Sequence, residues 1–474
     1  MKLLLTTIKT EKPATELAMR YLYDIVFEAP IDTSMKLYEC ESTDFFIYEE
    51  IVRNQYDIVY FHCDEFNVHR VSSLAEMVKK ACPSIIVVVG GMTVSFDTKE
   101  YMAYNPWVDY VIRGEGETVF YNFLKTLLRY EYDFELVPGL GFRRGSDILV
   151  NSFDKVVSME SLPFPYAKSE LEDTKVVYYE TIRGTTDRSA HTLFMPDPRV
   201  RTLPLDRIYT ELRYFIAREV EKVVVLDKYF NYSPEKAYKI FDYLISNDNG
   251  KTNYEFYMDG NNIDDEIVRL LGKARKDMFI FNIDVASINP ETLAIIGRDE
   301  NAYKTLYNVT KLLENDNVTV KLSITAGLPF ETEELFARSF NKVFGLGNGK
   351  TLHINEMKLP KGSLLRKESE QFGYIYKESA PFDVLGNDFI HANQLILIRD
   401  ISVLTDKFVS EQFNVQVREI LNESGLKPYT FFKEFAEYAY REELMQDIAD
   451  GRNLHTILNS FAAQLYEKEE KLEQ

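Results

Sequence analysis

The chain has 474 residues, 45% of them hydrophobic, which is enough for two or three packed domains and too apolar for general disorder. Its 31 Tyr and 32 Phe against a single Trp suit a mixed α/β core. A net charge of −20 and a pI of about 4.9 argue against nucleic-acid binding, which needs a basic face, and suit an acidic cytosolic protein.

Met1–Thr7 carries too short an apolar run for a signal peptide. No stretch approaches the roughly 20 apolar residues of a membrane helix, so no membrane association is expected. Cys40, Cys63 and Cys82 are odd in number and far apart, which implies no disulfide framework and a cytoplasmic setting.

The first part alternates strand-like and helical segments. Leu3–Thr6, Met35–Tyr38, Ile58–Phe61, Ile85–Val89 and Tyr110–Ile112 read as strands, with helices such as Leu17–Phe27, Val71–Lys80 and Thr118–Leu127 between them. The β-branched run Ile85–Val89 is the signature of a strand buried on both faces. Five such units predict a doubly wound, Rossmann-like domain over 1–135, whose ligand crevice lies beyond the carboxyl ends of the strands. Gly90-Gly91-Met92-Thr93-Val94-Ser95 and Arg113-Gly114-Glu115-Gly116-Glu117 leave the fourth and fifth strands there. Their glycines suit either close approach to a ligand or tight turns.

Residues 136–170, rich in Pro and Gly, read as a linker. A second alternation follows over 171–365. Strands are expected at Val176–Thr181, Lys222–Leu226, Tyr254–Met258, Phe279–Val285, Thr319–Thr325 and Leu352–Lys358. Six βα units suit a partial TIM-like barrel with its chemistry at the carboxyl ends. From 366 to 474 the pattern is helical, through Ile401–Asn422 and Tyr429–Asp447 to a charged tail.

Taken in order, Arg113–Glu117, Leu162-Pro163-Phe164-Pro165-Tyr166, Glu180-Thr181-Ile182-Arg183-Gly184, Val225-Leu226-Asp227 with Phe230-Asn231, Ser287 with Asn289-Pro290-Glu291, and Ala326-Gly327-Leu328-Pro329 resemble the cobalamin-binding radical SAM enzymes. Lys361-Gly362-Ser363 and Phe382–Leu385 are similar to a subgroup with an uncharacterised helical C-terminal extension. The resemblance implies cobalamin contacts from Cys63, Asn67, Gly90, Gly91, Thr93, Ser95, Arg113, Gly114, Glu115 and Gly116. It implies a remnant S-adenosylmethionine pocket at Ser287, Gly327, Leu328 and Pro329.

In that family the segment after Arg-Gly reads CxxxCxxC, three thiolates that hold a [4Fe–4S] cluster. The corresponding positions here are Thr185, Ser189 and Thr192, whose hydroxyls are poor iron ligands. His191 cannot replace three thiolates. The cluster is therefore expected to be absent, and Gly184–Thr192, without it, to be less ordered than Val176–Thr181. The family's Glu, Gly and Gln on one barrel strand are matched by Asn282, Asp284 and Ala286, and a carboxylate on another by Tyr257, which places S-adenosylmethionine binding in doubt.

Cobalamin is either retained or lost. The DxHxxG motif is absent, GGPEVS reads Gly90-Gly91-Met92-Thr93-Val94-Ser95, and Ala14 and Asp64 stand where the family commonly has a His and an aromatic. Any corrinoid is expected to bind without a histidine on cobalt, and His62 reads as a hydrogen-bonded structural residue. Cys63 reads as a buried thiol and Glu117 as a helix N-terminal carboxylate. Arg183, Arg188, Arg199 and Arg201 suit either an anion site or solvated side chains. No catalytic residue is assigned. The resemblance with these losses implies a pseudoenzyme, an accessory or regulatory protein whose partner is an active radical SAM enzyme or a peptide or small-molecule ligand. The alternative is a cobalamin-dependent methyltransferase working by polar displacement.

Overall fold

The computed structural model describes residues 1–10, 14–130, 132–153, 157–168, 175–184, 199–298, 301–347, 352–409 and 412–473. Strands β1 (Lys2–Ile8), β2 (Asp32–Tyr38), β3 (Ile58–His62), β4 (Ile86–Gly90) and β5 (Tyr110–Ile112) are parallel and stand in the order β2-β1-β3-β4-β5. Helices α1 (Ala14–Val26), α2 (Asp44–Asn54), α3 (Val68–Ala81), α4 (Thr98–Tyr104) and α5 (Gly116–Leu128) connect them. Strand β1 buries both faces, whereas β2, at the edge, alternates. Leu3, Leu5, Tyr60 and Val88 pack under α1 and α5; Leu4, Val59, Phe61 and Val87 pack on the opposite face with residues of α2 and α3. The strand order reverses between β1 and β3, and this switch point places the crevice at Ile8 and His62.

The expected linker is in part sheet. Strands β6 (Leu140–Arg144) and β7 (Asp147–Val150) form a hairpin that pairs antiparallel with β5, so the first domain runs to about 150. Gly145, at φ +60°, makes the turn. Gly141 is required beside β5, since a Cβ there would lie 2.6 Å from Thr98.

The barrel strands are β8 (Val176–Tyr179), β11 (Lys222–Val225), β12 (Asn253–Met258), β13 (Phe279–Ala286), β14 (Thr319–Ala326) and β15 (Leu352–Glu356), all parallel and open at both edges. Between β8 and β11 lie β9 (Ile182–Arg183) and β10 (Arg201–Thr202), a short antiparallel pair. It ties together the two feet of the segment aligned with the cluster loop. Thr185–Thr192 itself, with His191 and Arg188, lies outside the described residues, and so does the expectation of disorder there.

Helices α6 (Leu205–Ala217), α7 (Pro234–Ser246), α8 (Asp265–Leu271), α9 (Pro290–Ile295), α10 (Ala302–Leu313) and α11 (Glu333–Leu346) cover the barrel. The C-terminal part is not helical from the start. After α12 (Leu364–Lys367), a small hairpin of β16 (Ile375–Tyr376) and β17 (Val384–Gly386) comes first. Near it Ala380 and Phe382 insert into the first domain's apolar cluster, and Lys361 pairs with Asp97 at 3.0 Å. Helices α13 (Ala392–Phe408), α14 (Asn414–Ser424), α15 (Pro428–Arg441), α16 (Met445–Ala449) and α17 (Leu454–Glu473) follow, and α15 packs Phe432 and Tyr429 against Phe340 of α11. Among the described residues no helix is long and apolar enough to cross a membrane.

Candidate functional site

Beyond the carboxyl ends of β3 and β4, a half-open cavity of about 370 Å³ lies between the first domain and the barrel. Its wall includes Tyr21, Tyr60, His62 and Met92 from the first domain and Glu180, Arg183 and Leu226 from the barrel. Cys63, Gly91, Thr93, Gly114, Glu115 and Gly116 of the expected cofactor contacts also line it, while Asn67, Gly90, Ser95 and Arg113 stand behind the wall.

Those four hold the loops in place. Asn67 accepts from the Asp64 N–H at 2.9 Å and donates to the Ile8 carbonyl at 2.8 Å, so it joins the ends of β1 and β3. Asp64 accepts from the Phe66 and Asn67 N–H groups and from Thr10 at 2.5 Å. Ser95 donates to the Gly91 carbonyl at 2.8 Å and accepts from the Gly114 N–H at 2.9 Å. Arg113 reaches the Ser95 and Asn151 carbonyls at 3.0 and 2.7 Å and stacks over Phe153. The glycines answer to internal neighbours: a Cβ on Gly90 would lie 2.1 Å from the Tyr60 hydroxyl, and one on Gly91 1.9 Å from the Cys63 carbonyl.

Cys63 sits in the apolar cluster on the far face of the sheet, and burial pushes its thiol well up, so it is an inert protonated group. His62, on the cavity side, has Nδ1 3.1 Å from the Tyr60 hydroxyl. Burial pushes its pKa down to about 4, so the ring is neutral near pH 7.

Across the cavity Arg183 and Arg201 are neither solvated nor open to an anion, which corrects both expectations for these two; Arg199 is exposed, and Arg188 lies outside the described residues. Arg183 is buried against Glu117 at 2.5 Å and Glu180 at 2.7 Å, with Glu115 at 3.8 Å and the Tyr21 ring beside it. Arg201, paired with Arg183 across β9–β10, binds Glu115 at 2.5 Å and the Val157 carbonyl at 2.7 Å. Burial alone would raise the Glu117 carboxyl, but the Arg183 guanidinium outweighs it and holds the group below the usual range. Arg-Gly-Glu-Gly-Glu and Glu-Thr-Ile-Arg-Gly are thus two halves of one interdomain ion cluster. Sequence reading left their 66-residue separation unbridged.

Asp227, fully buried after β11, accepts from the Thr181 and Ile182 N–H groups at 2.6 and 2.9 Å and from the Thr181 hydroxyl. Asp227→Ala orphans these donors, and a loss of about 1–3 kcal/mol for each buried group is expected in urea titrations. Burial raises the Asp227 pKa to about 7. Since the folded value exceeds the unfolded one of about 3.9, its contribution to stability falls as pH rises from about 4 to about 7.

The barrel lumen is polar and internally paired. Glu255 binds Lys222, accepts from Asn282 at 2.9 Å, and accepts from Lys321 at 3.1 Å. Asp284 pairs with buried Arg298 at 3.0 Å and accepts from Ser323 at 2.8 Å. Tyr257 is 38% exposed, and its hydroxyl is raised by burial. The period-two pattern Asn253-x-Glu255-x-Tyr257 carried the signal for Glu255, which sequence reading missed. Ser287 donates to buried Glu331 at 2.8 Å, and the Gly327 carbonyl accepts from Tyr374 and Asn387 at 2.9 and 3.0 Å. Leu328 and Pro329 are buried. Among the described residues no group of three or more His, Cys, Asp or Glu is placed to hold a metal ion.

Residues 4–124 match the B12 binding domain, 185–343 the radical SAM superfamily, and 370–474 a protein family of unknown function, DUF4080. The chain is 24% identical over 360 residues to the cobalamin-dependent radical SAM methyltransferase TokK of Streptomyces tokunonensis, covering 69% of this chain and 52% of that one. It is 22% identical to the 2-(S-pantetheinyl)-carbapenam-3-carboxylate methyltransferase of Streptantibioticus cattleyicolor, covering 67% and 49%. It thus spans about half the length of these curated relatives. Its fold is similar to that of OxsB, a cobalamin-dependent S-adenosylmethionine radical enzyme solved with aqua-cobalamin (TM-score 0.67, 11% identity, 99% and 80% covered). It is also similar to TsrM, a radical S-adenosylmethionine methyltransferase from Kitasatospora setae (TM-score 0.64, 15% identity, 80% and 78% covered).

Proposed function

We propose that this chain, which belongs to the cobalamin-binding radical SAM protein family, binds cobalamin without an iron–sulfur cluster and serves as an accessory or regulatory protein. The observation that carries this reading is the hydroxyl set Thr185, Ser189 and Thr192 where the family places its three cysteines. The barrel lumen supports it. Asn282, Asp284 and the Gly327 carbonyl, which would serve S-adenosylmethionine, are engaged with Glu255, Arg298, Tyr374 and Asn387.

The first domain fits a corrinoid better. His62 offers an uncharged nitrogen donor in the cavity wall, with Thr93 and the Gly114–Gly116 backbone beside it. When bound, a corrinoid supplies a cobalt centre able to carry a methyl group. This chain's residues would hold it between two domains locked by the Arg183 cluster. Polar methyl transfer is less well supported, because Glu115, Glu117 and Glu180 are committed to arginines and do not serve as a base. The partner proposed is an active radical SAM enzyme.

Anaerobic calorimetry with hydroxocobalamin and, separately, S-adenosylmethionine tests this, alongside iron analysis after reconstitution. Cobalamin binding, no heat with S-adenosylmethionine and no retained iron are expected. Retained iron and sulfide with cleavage of S-adenosylmethionine would falsify the proposal.

A further inference from the structure

Resting on the reading that the chain binds cobalamin, we propose that His62 is the protein's ligand to the cobalt. His62 closes β3 at the switch point of the sheet and lines the cavity between the two domains. Its Nδ1 is engaged by the hydroxyl of Tyr60, a fully buried residue whose ring packs on Phe120 with centroids 4.9 Å apart. Nε2 is therefore the nitrogen left over, and among the described residues it has no protein hydrogen-bond partner.

This arrangement has the form of a metal-binding histidine. One ring nitrogen is held by a partner that fixes the ring orientation, and the other is left without a partner among the described residues. In the tautomer that donates Nδ1–H to the Tyr60 hydroxyl, the Nε2 lone pair is free for a metal. A single imidazole is sufficient here, because a corrin macrocycle supplies four equatorial nitrogens itself. The lack of a three-residue metal cluster among the described residues is consequently no objection.

The placements of Cys63, Glu117 and Glu180 set them apart from His62. Cys63 lines the cavity, but its side chain packs in the apolar cluster with Phe61 and Val89. The Glu117 and Glu180 carboxylates are held by Arg183. Ligation by His62 departs from the expectation, drawn from the missing DxHxxG motif, that cobalt receives no histidine.

Cob(II)inamide is the probe, since it lacks the nucleotide base and any nitrogen on cobalt must come from the protein. In the electron paramagnetic resonance spectrum of the anaerobic complex, each resolved cobalt line is expected to split threefold. In protein labelled with [15N]histidine the splitting becomes twofold, a readout that involves no substitution and no question of folding. His62→Ala is expected to abolish the splitting, and Tyr60→Phe to keep it while weakening corrinoid affinity about tenfold, as loss of a histidine's supporting hydrogen bond does. Retained cobinamide with unsplit lines, or splitting that survives His62→Ala, overturns the assignment while leaving corrinoid binding intact. Failure to retain either cobinamide or cobalamin overturns the binding reading and this assignment together.

Discussion

Replacing Arg183 by alanine is expected to lower the unfolding free energy by about 3–5 kcal/mol, the loss typical when one partner of a buried ion pair is removed. The side chain is only 11% exposed, and Glu117 and Glu180, at 8% and 13%, lose their nearest cation with it. Glu115 keeps Arg201. Arg183→Lys is expected to recover only part of the loss, because a point charge cannot satisfy two carboxylates as a planar fork does. The pH dependence separates this from a simple packing loss. In the wild type Glu117 titrates below its unfolded value of about 4.3, so its contribution is present above that pH and lost below it. In the variant, burial without Arg183 drives the Glu117 carboxyl upward, and protonation relieves the unpaired charge. The gap between wild type and variant in urea titrations should therefore be widest near pH 7 and narrow below about pH 4. A gap constant across that range would mean that the guanidinium acts by packing alone.

How much of this cluster was legible follows from what a sequence pattern can carry. Parallel strands such as β4 show themselves because burial on both faces forces a run of β-branched residues. The hairpin β6–β7 was hidden because Gly139, Gly141 and Gly145 with Pro138 look like a linker until β5 is alongside to pair with. The ladder β9–β10 has two residues in each strand, too few for any periodicity. Arg183 and Glu117 were both singled out, yet their pairing depends on how two domains meet. His62 and Tyr60 were adjacent on one face by the two-residue period of a strand, but only the cavity distinguishes a ligand from a core histidine. In the lumen, Asp284 was noticed as a charge in the wrong place, while its partner Arg298 lies on the connection that follows α9.

Installing Thr185→Cys, Ser189→Cys and Thr192→Cys together is expected to let the chain hold about four irons and four sulfides after anaerobic reconstitution, where the wild type holds none. The feet of the segment are already positioned for this. Leu203 N–H donates to the Thr181 carbonyl at 2.9 Å, the β9–β10 pair joins Ile182 to Thr202, and Asp227 holds the Thr181–Ile182 turn. Three thiolates on a loop closed at its base lose less entropy on binding a cluster than they would on a free chain. Cleavage of S-adenosylmethionine by the triple variant should nevertheless stay near background. Asp284 would still occupy the lumen with Arg298 and Ser323, Asn282 would still be bound to Glu255, and the Gly327 carbonyl would still be taken by Tyr374 and Asn387. Iron and sulfide analysis reads the first expectation, and chromatographic detection of 5′-deoxyadenosine after reduction reads the second. Rapid cleavage by the triple variant would mean that the lumen still admits S-adenosylmethionine and that only the thiolates were lost. Absence of iron from a folded triple variant would mean that the loop cannot bring three side chains to one cluster, so that the loss extends beyond the three ligands to the loop itself.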